Sequence, residues 1–121
     1  MNAWTTGHTR ACLSSADVVL LQEPRLADEE QCRRAEDAAK KLGWQVHLNA
    51  AVHTDKGGVS AGVAVMAKKH IRMRFNDDVV SKRYRSRISC AWVGTGRRGG
   101  LHVLSIYLWT TEGMSERNRD L

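Results

Sequence analysis

The chain has 121 residues, 42% of them apolar and 26% charged, with a formal net charge of +6. That is room for one small domain and enough apolar content to argue against wholesale disorder, and no apolar run approaches bilayer-spanning length. Ten Lys/Arg against two Asp/Glu give residues 68–98 a net +8, whereas residues 1–67 and 99–121 each sum to −1; one segment carries the whole excess, as a surface for a polyanion such as nucleic acid would, or simply as a solvated basic face.

The first eight residues, ending at His8, hold no apolar signal core, so no export signal is read and no membrane partner is expected. Cys12, Cys32 and Cys90 are odd in number, widely spaced and free of any CxxC pattern, which fits reduced thiols in an intracellular compartment, nuclear or cytoplasmic. The histidines form no HxH or HxxxH pair, which speaks against a histidine metal cluster.

In chain order, Val18-Val19-Leu20-Leu21 runs straight into Gln22-Glu23. Four apolar, β-prone residues read as a strand buried on both faces. A carboxylate at its end is poorly placed to stabilise a core; it serves either as a ligand at a sheet edge or as the first residue of a solvated loop. A helix is expected over residues 28–42, with Asp28 as cap, Gln31 in capping-box position, acids in its first turn and Lys40 and Lys41 in its last. Cys32, Ala35, Ala38, Ala39 and Leu42 would form its apolar stripe. Gly43 is a natural stop, and Trp44 can fold back on the last turn.

Residues 44–48 read as a strand, 49–60 as a loop, and 62–67 as a second buried strand. Residues 68–75 continue as an edge strand or a turn, and Val79-Val80 begins a short extended piece. Arg83, Arg85 and Arg87 alternate, so an extended backbone would put all three on one face. Residues 88–93 and 101–108 form a hairpin about the Gly-rich turn 94–100. Ser115 opens a final helix. The order strand, helix, strand indicates an α/β layer.

Asn2, then the run ending in Gln22-Glu23, then Gly62-Val63-Ala64-Val65, then Leu104-Ser105-Ile106-Tyr107 with Arg117 and Arg119 beyond, make an ordered series. This series resembles the endonuclease/exonuclease/phosphatase superfamily, the metal-dependent phosphodiesterases related to apurinic endonucleases and retrotransposon endonucleases. The resemblance implies an α/β fold, a four-layer sandwich with two face-to-face sheets and helices outside, here incomplete. It implies that residues 1–121 are the N-terminal portion of such a domain. Glu23 would be a Mg²⁺ ligand, with Mn²⁺ as a substitute, because hard cations take carboxylate oxygens. Asn2 would sit beside the metal or the phosphate, Tyr107 would orient the phosphate through its hydroxyl, and Arg117 or Arg119 would reach a phosphate oxygen. The enzyme implied is a phosphoric-diester hydrolase, an endonuclease if the substrate is nucleic acid and a phosphatase if it is a small phosphoester.

No Gly-Asp-x-Asn follows Tyr107 and no terminal Asp-His occurs, so the family's water-activating residues have no counterpart here. The chain alone is therefore expected to be inactive and truncated at both ends. Strands 16–22, 62–67 and 101–108 are expected to expose an apolar face, to unfold without a sharp transition and to bind a hydrophobic dye. Two other readings stand beside this one. The first is a non-catalytic nucleic-acid-binding module built on Lys68, Lys69, Arg83, Arg85 and Arg87, with Trp4, Trp92 and Trp109 available either to stack on bases or to pack. The second is a decayed retroelement reading frame.

Overall fold

The computed structural model describes residues 15–109 and 115–121. Its elements are β1 (Val18–Gln22), α1 (Glu29–Lys41), β2 (Trp44–Asn49), β3 (Val52–His53), β4 (Val59–Ser60), β5 (Val63–Lys68), β6 (Met73–Phe75), β7 (Ile88–Gly94), β8 (Gly100–Ile106) and α2 (Glu116–Arg119). Short 3₁₀ turns, Asp77–Val79 and Lys82–Tyr84, join β6 to β7. The chain is mixed α/β. No helix among the described residues is long and apolar enough to cross a membrane.

β1 and β2 both run antiparallel to β5 and flank it, in the order β1-β5-β2. They are thus parallel to each other, and α1 makes the crossover between them. A second sheet, β6-β7-β8, is antiparallel throughout and packs over the first: β5 meets β7 and β8, β1 meets β8, and β2 meets β7. The layers are helix, sheet, sheet.

Alternation decides which side chains fill each gap. Ala64 and Met66 of β5, with Trp44 and Val46 of β2, meet Ala35 and Ala39 of α1 in one core. The alanines let the helix lie close to the sheet, and Trp44 does fold back under its last turn. Val63, Val65 and Ala67 point the other way, into the gap between the sheets, and are fully buried. Across that gap lie Ser89 and Ser105, cross-strand partners and both buried. Ser105 Oγ donates to the Leu21 carbonyl at 2.9 Å, whereas Ser89 Oγ makes no hydrogen bond.

Several expectations need correction. β5 is the strand buried on both faces; β1 is an edge strand, with Leu20 43% exposed. Asp28 takes an extended N-cap backbone but makes no side-chain cap bond, so the Gln31 capping box does not form. Leu42 is exposed and the apolar stripe ends at Ala39. The 49–60 loop contains the small β3-β4 hairpin, and β8 ends at Ile106. Strand 62–67 exposes nothing, because the second sheet lies within this chain and covers it. The apolar exposure expected of 101–108 and of 16–22 is found, at Leu101, Leu104, Ile106 and Leu108 and at Leu20. Arg83, Arg85 and Arg87 do not follow an extended strand: Arg83 lies on an exposed 3₁₀ turn, Arg85 is half-buried and Arg87 is buried. The 3₁₀ geometry, with three residues per turn, cancels the alternation on which that expectation rested.

Candidate functional site

Both strands marked in the sequence by their polar ends, Gln22-Glu23 and Ile106-Tyr107, finish at the same end of the sandwich. Gln22 Nε2 donates to the Ile106 carbonyl at 2.6 Å. A relay of backbone bonds completes the junction. Glu23 N donates to Gly62 O at 2.9 Å, Gly62 N to Ser86 O at 2.8 Å, and Tyr107 N to Arg87 O at 2.8 Å. Residues 84 positions apart are thereby tied into one rim built from β1, β5, β7 and β8.

The backbone of this rim is strained. Glu23, Arg25 and Ala61 have φ of 55°, 56° and 68°, and they are the positive-φ residues other than glycine among those described. Each costs about 1–3 kcal/mol and persists only where its surroundings over-determine it, and such residues gather at functional sites. The sequence signal for this strain was absent, since glutamate and arginine are not residues that seek the left-handed region.

Arg25 folds back on Glu23. Its Nη2 and Nε donate to the same oxygen, Oε1, at 2.9 and 3.1 Å. Oε2 makes no hydrogen bond among the described residues, and the Glu23 side chain is about one-third exposed at 32%. The carboxylate is thus held by one oxygen and presents the other. No group of three or more His, Cys, Asp or Glu gathers among the described residues. Mg²⁺ commonly takes one or two protein carboxylates and fills its shell with water and phosphate oxygens. Glu23 Oε2 is an oxygen donor of the kind such a cation takes.

Arg87 and the aromatic residues after β8 build the neighbouring wall. The buried Arg87 guanidinium donates to Tyr107 O at 3.2 Å and lies 5.2 Å from the Tyr107 ring and 3.9 Å from the Trp109 ring. Arg117 approaches the same Trp109 ring at 4.2 Å. Asn118, buried, grips the Trp109 backbone both ways: its Oδ1 accepts from Trp109 N at 2.7 Å and its Nδ2 donates to Trp109 O at 2.9 Å. Arg83, Tyr84, Trp109 and Arg117 line a cavity of about 100 Å³. Asn118 and Arg25 were not read as functional from the sequence; each acts by fixing a neighbour, which residue type alone does not reveal.

The expected site residues therefore divide. Glu23, Tyr107, Arg83, Arg87 and Arg117 come to this end of the molecule. Arg119 lies on α2, exposed. Lys68 and Lys69 lie at the opposite end of β5, where Lys68 Nζ pairs with Asp17 at 3.2 Å. Arg85 is half-buried, with its Nε unpartnered. Asn2 lies outside the described residues. Compared with protein-family models, curated proteins and solved structures, the chain matches none.

Proposed function

We propose that this chain is the front portion of a Mg²⁺-dependent phosphodiesterase domain of the endonuclease/exonuclease/phosphatase type, a four-layer sandwich that acts on nucleic acid. The observation that supports this best is the bonded junction of the Gln22-Glu23 and Ile106-Tyr107 strand ends, with Glu23 held in a left-handed backbone. A bound Mg²⁺ would supply charge neutralisation at a phosphoryl oxygen. Glu23 Oε2 would hold it, and Arg25 keeps the carboxylate aimed by occupying Oε1. Tyr107 would orient the phosphate through its hydroxyl, and Arg117 would contact a second oxygen. No residue of this chain matches the family's water-activating groups, so residues 1–121 alone bind and do not hydrolyse.

A second reading, a non-catalytic nucleic-acid-binding module, draws on the cavity lined by Arg83, Tyr84, Trp109 and Arg117, a mixture of guanidinium and ring that suits phosphate and base together. One titration separates the two. Anisotropy of a labelled duplex is followed against Mg²⁺ for the native chain and for Glu23→Gln. On the phosphodiesterase reading Mg²⁺ tightens binding of the native chain, and Glu23→Gln abolishes that gain. An equal Mg²⁺ response in both would sink the metal role of Glu23. Glu23-dependent plasmid nicking would overturn the claim of inactivity.

A further inference from the structure

The far end of the sandwich carries a second concentration of positive charge that the Glu23 rim does not use. Residues 70–76 and 92–102 hold Arg72, Arg74, Arg97 and Arg98 and no acidic residue; Lys68, on the α1 side of the first sheet, is paired with Asp17 and is not part of this group. The two stretches meet because β6 pairs with the distal half of β7, and the 94–100 turn closes the same end. Beside Arg72 and Arg74 stands Trp92. Arg74 on β6 and His102 on β8 are its direct cross-strand partners, so Arg74, Trp92 and His102 form one row across the outer face of the sheet.

Trp92 is laid flat by its neighbours. A Cβ at Gly100 would fall among the indole atoms, so the ring covers the bare backbone of Gly100 on the adjacent strand. Gly94 approaches the ring edge, with its own would-be Cβ 3.3 Å from Cη2. The Arg72 and Arg74 guanidinium carbons stand 5.9 and 5.7 Å from the ring centroid. Trp92 is half-buried, and with Arg74, Phe75, Asn76 and His102 it lines a groove of about 350 Å³. A core tryptophan would be covered on both sides. This one is supported from beneath by glycine backbone, has the Arg72 and Arg74 guanidinium groups over it at 5.9 and 5.7 Å, and borders a groove.

We infer that the outer face of the β6-β7-β8 sheet is a stacking platform for a single-stranded polynucleotide, with a base on Trp92 and phosphates on Arg72 and Arg74. The charge fits a polyanion, and a flat ring on a sheet accepts an unpaired base of any identity. Paired bases in a duplex offer no free face, so the platform selects single strands. His102 borders the base from the β8 side. The surface is separate from the Glu23 rim and works without metal.

The test is anisotropy of labelled dT12, U12 and a 12-base-pair duplex with the full chain, in EDTA so that no metal site contributes. Both single strands should bind more tightly than the duplex. Trp92→Ala should weaken single-strand binding about 5- to 160-fold, and Trp92→Phe should retain most of it. Replacing Arg72 and Arg74 with glutamine leaves the ring in place. That variant should make the slope of log affinity against log salt shallower by about 1.4, at about 0.7 per phosphate contact. A preference for U12 would mark RNA as the source of the strand and a preference for dT12 would mark DNA; either upholds the platform. Duplex binding as tight as single-strand binding, or a Trp92→Ala chain with native affinity, would overturn it. If Trp92→Ala fails to fold, an unchanged salt slope in the double glutamine variant overturns it instead.

Discussion

Gly62 is where the fold and the candidate site can be perturbed together. Its φ is +89°, and a Cβ there would lie 3.2 Å from Pro24 Cγ and 3.3 Å from both Ala51 Cβ and Ala51 N. Gly62→Ala therefore carries two penalties: about 1–2 kcal/mol for a left-handed backbone and about 1–3 kcal/mol for crowding a packed site. Gly43 provides the control. Its φ is also +89°, but nothing lies within 4 Å of its would-be Cβ, so Gly43→Ala carries the first penalty alone. Urea denaturation followed by circular dichroism should give a loss of about 1–2 kcal/mol for Gly43→Ala and about 2–5 for Gly62→Ala. The second variant should also disturb the rim, because Gly62 O accepts from Glu23 N and Gly62 N donates to Ser86 O. The Mg²⁺-dependent gain in duplex binding should shrink in Gly62→Ala and persist in Gly43→Ala. Equal stability losses would show that Pro24 and Ala51 yield freely. A full Mg²⁺ response in Gly62→Ala would show that the bond relay does not position Glu23.

The remaining predictions concern the core, an unpaired hydroxyl, a thiol and the open face. Met66, fully buried between α1 and the first sheet, should cost about 2–5 kcal/mol when replaced by Ala, measured by urea denaturation. Ser89→Ala should raise stability by about 1 kcal/mol in the same assay, because it removes a buried hydroxyl that has no partner; a loss would mean the hydroxyl is satisfied in solution. Burial first, then the charges of Glu36 and Asp28, raise the Cys32 thiol above its ordinary value. The folded chain then binds the thiol proton more tightly than the unfolded chain, so stability should fall as pH rises past the ordinary thiol value of about 8.5, up to the higher folded value. Cys32→Ala should remove that part of the decline, which denaturation midpoints compared across alkaline pH will read. Leu104, 48% exposed, borders an apolar groove of about 300 Å³ with Val80, Ile88 and Leu121, and Leu104→Lys should reduce the fluorescence of a bound hydrophobic dye while leaving circular dichroism unchanged.

What could be read from the chain was mostly what is local. The run of small apolar residues from Val63 to Ala67 is a strand because nothing else fits so short a β-prone run, and the Gly-rich turn between β7 and β8 leaves little choice but a hairpin. The two polar strand ends were legible as residue types, and their junction is the part of the candidate site that the structure brings together. What failed depended on partners distant in sequence. Val18–Leu21 has the composition of a central strand, yet β5 takes the centre because β1 and β2 both pair with it, and composition cannot rank two apolar runs for that position. Arg83, Arg85 and Arg87 were misread because alternation carries information only if the backbone is extended, and a 3₁₀ turn intervenes. The basic segment was misread in a more consequential way. A net +8 over residues 68–98 suggests one surface, but the antiparallel path of β6 and β7 carries its first part to the far end of the sandwich and returns its middle to the Glu23 rim. Net charge along a chain is a sum over sequence, whereas a polyanion responds to charge over a surface. One basic stretch therefore becomes two separate surfaces, one at the end of the molecule that holds Glu23 and one around Trp92, and the chemistry proposed for each follows from that division.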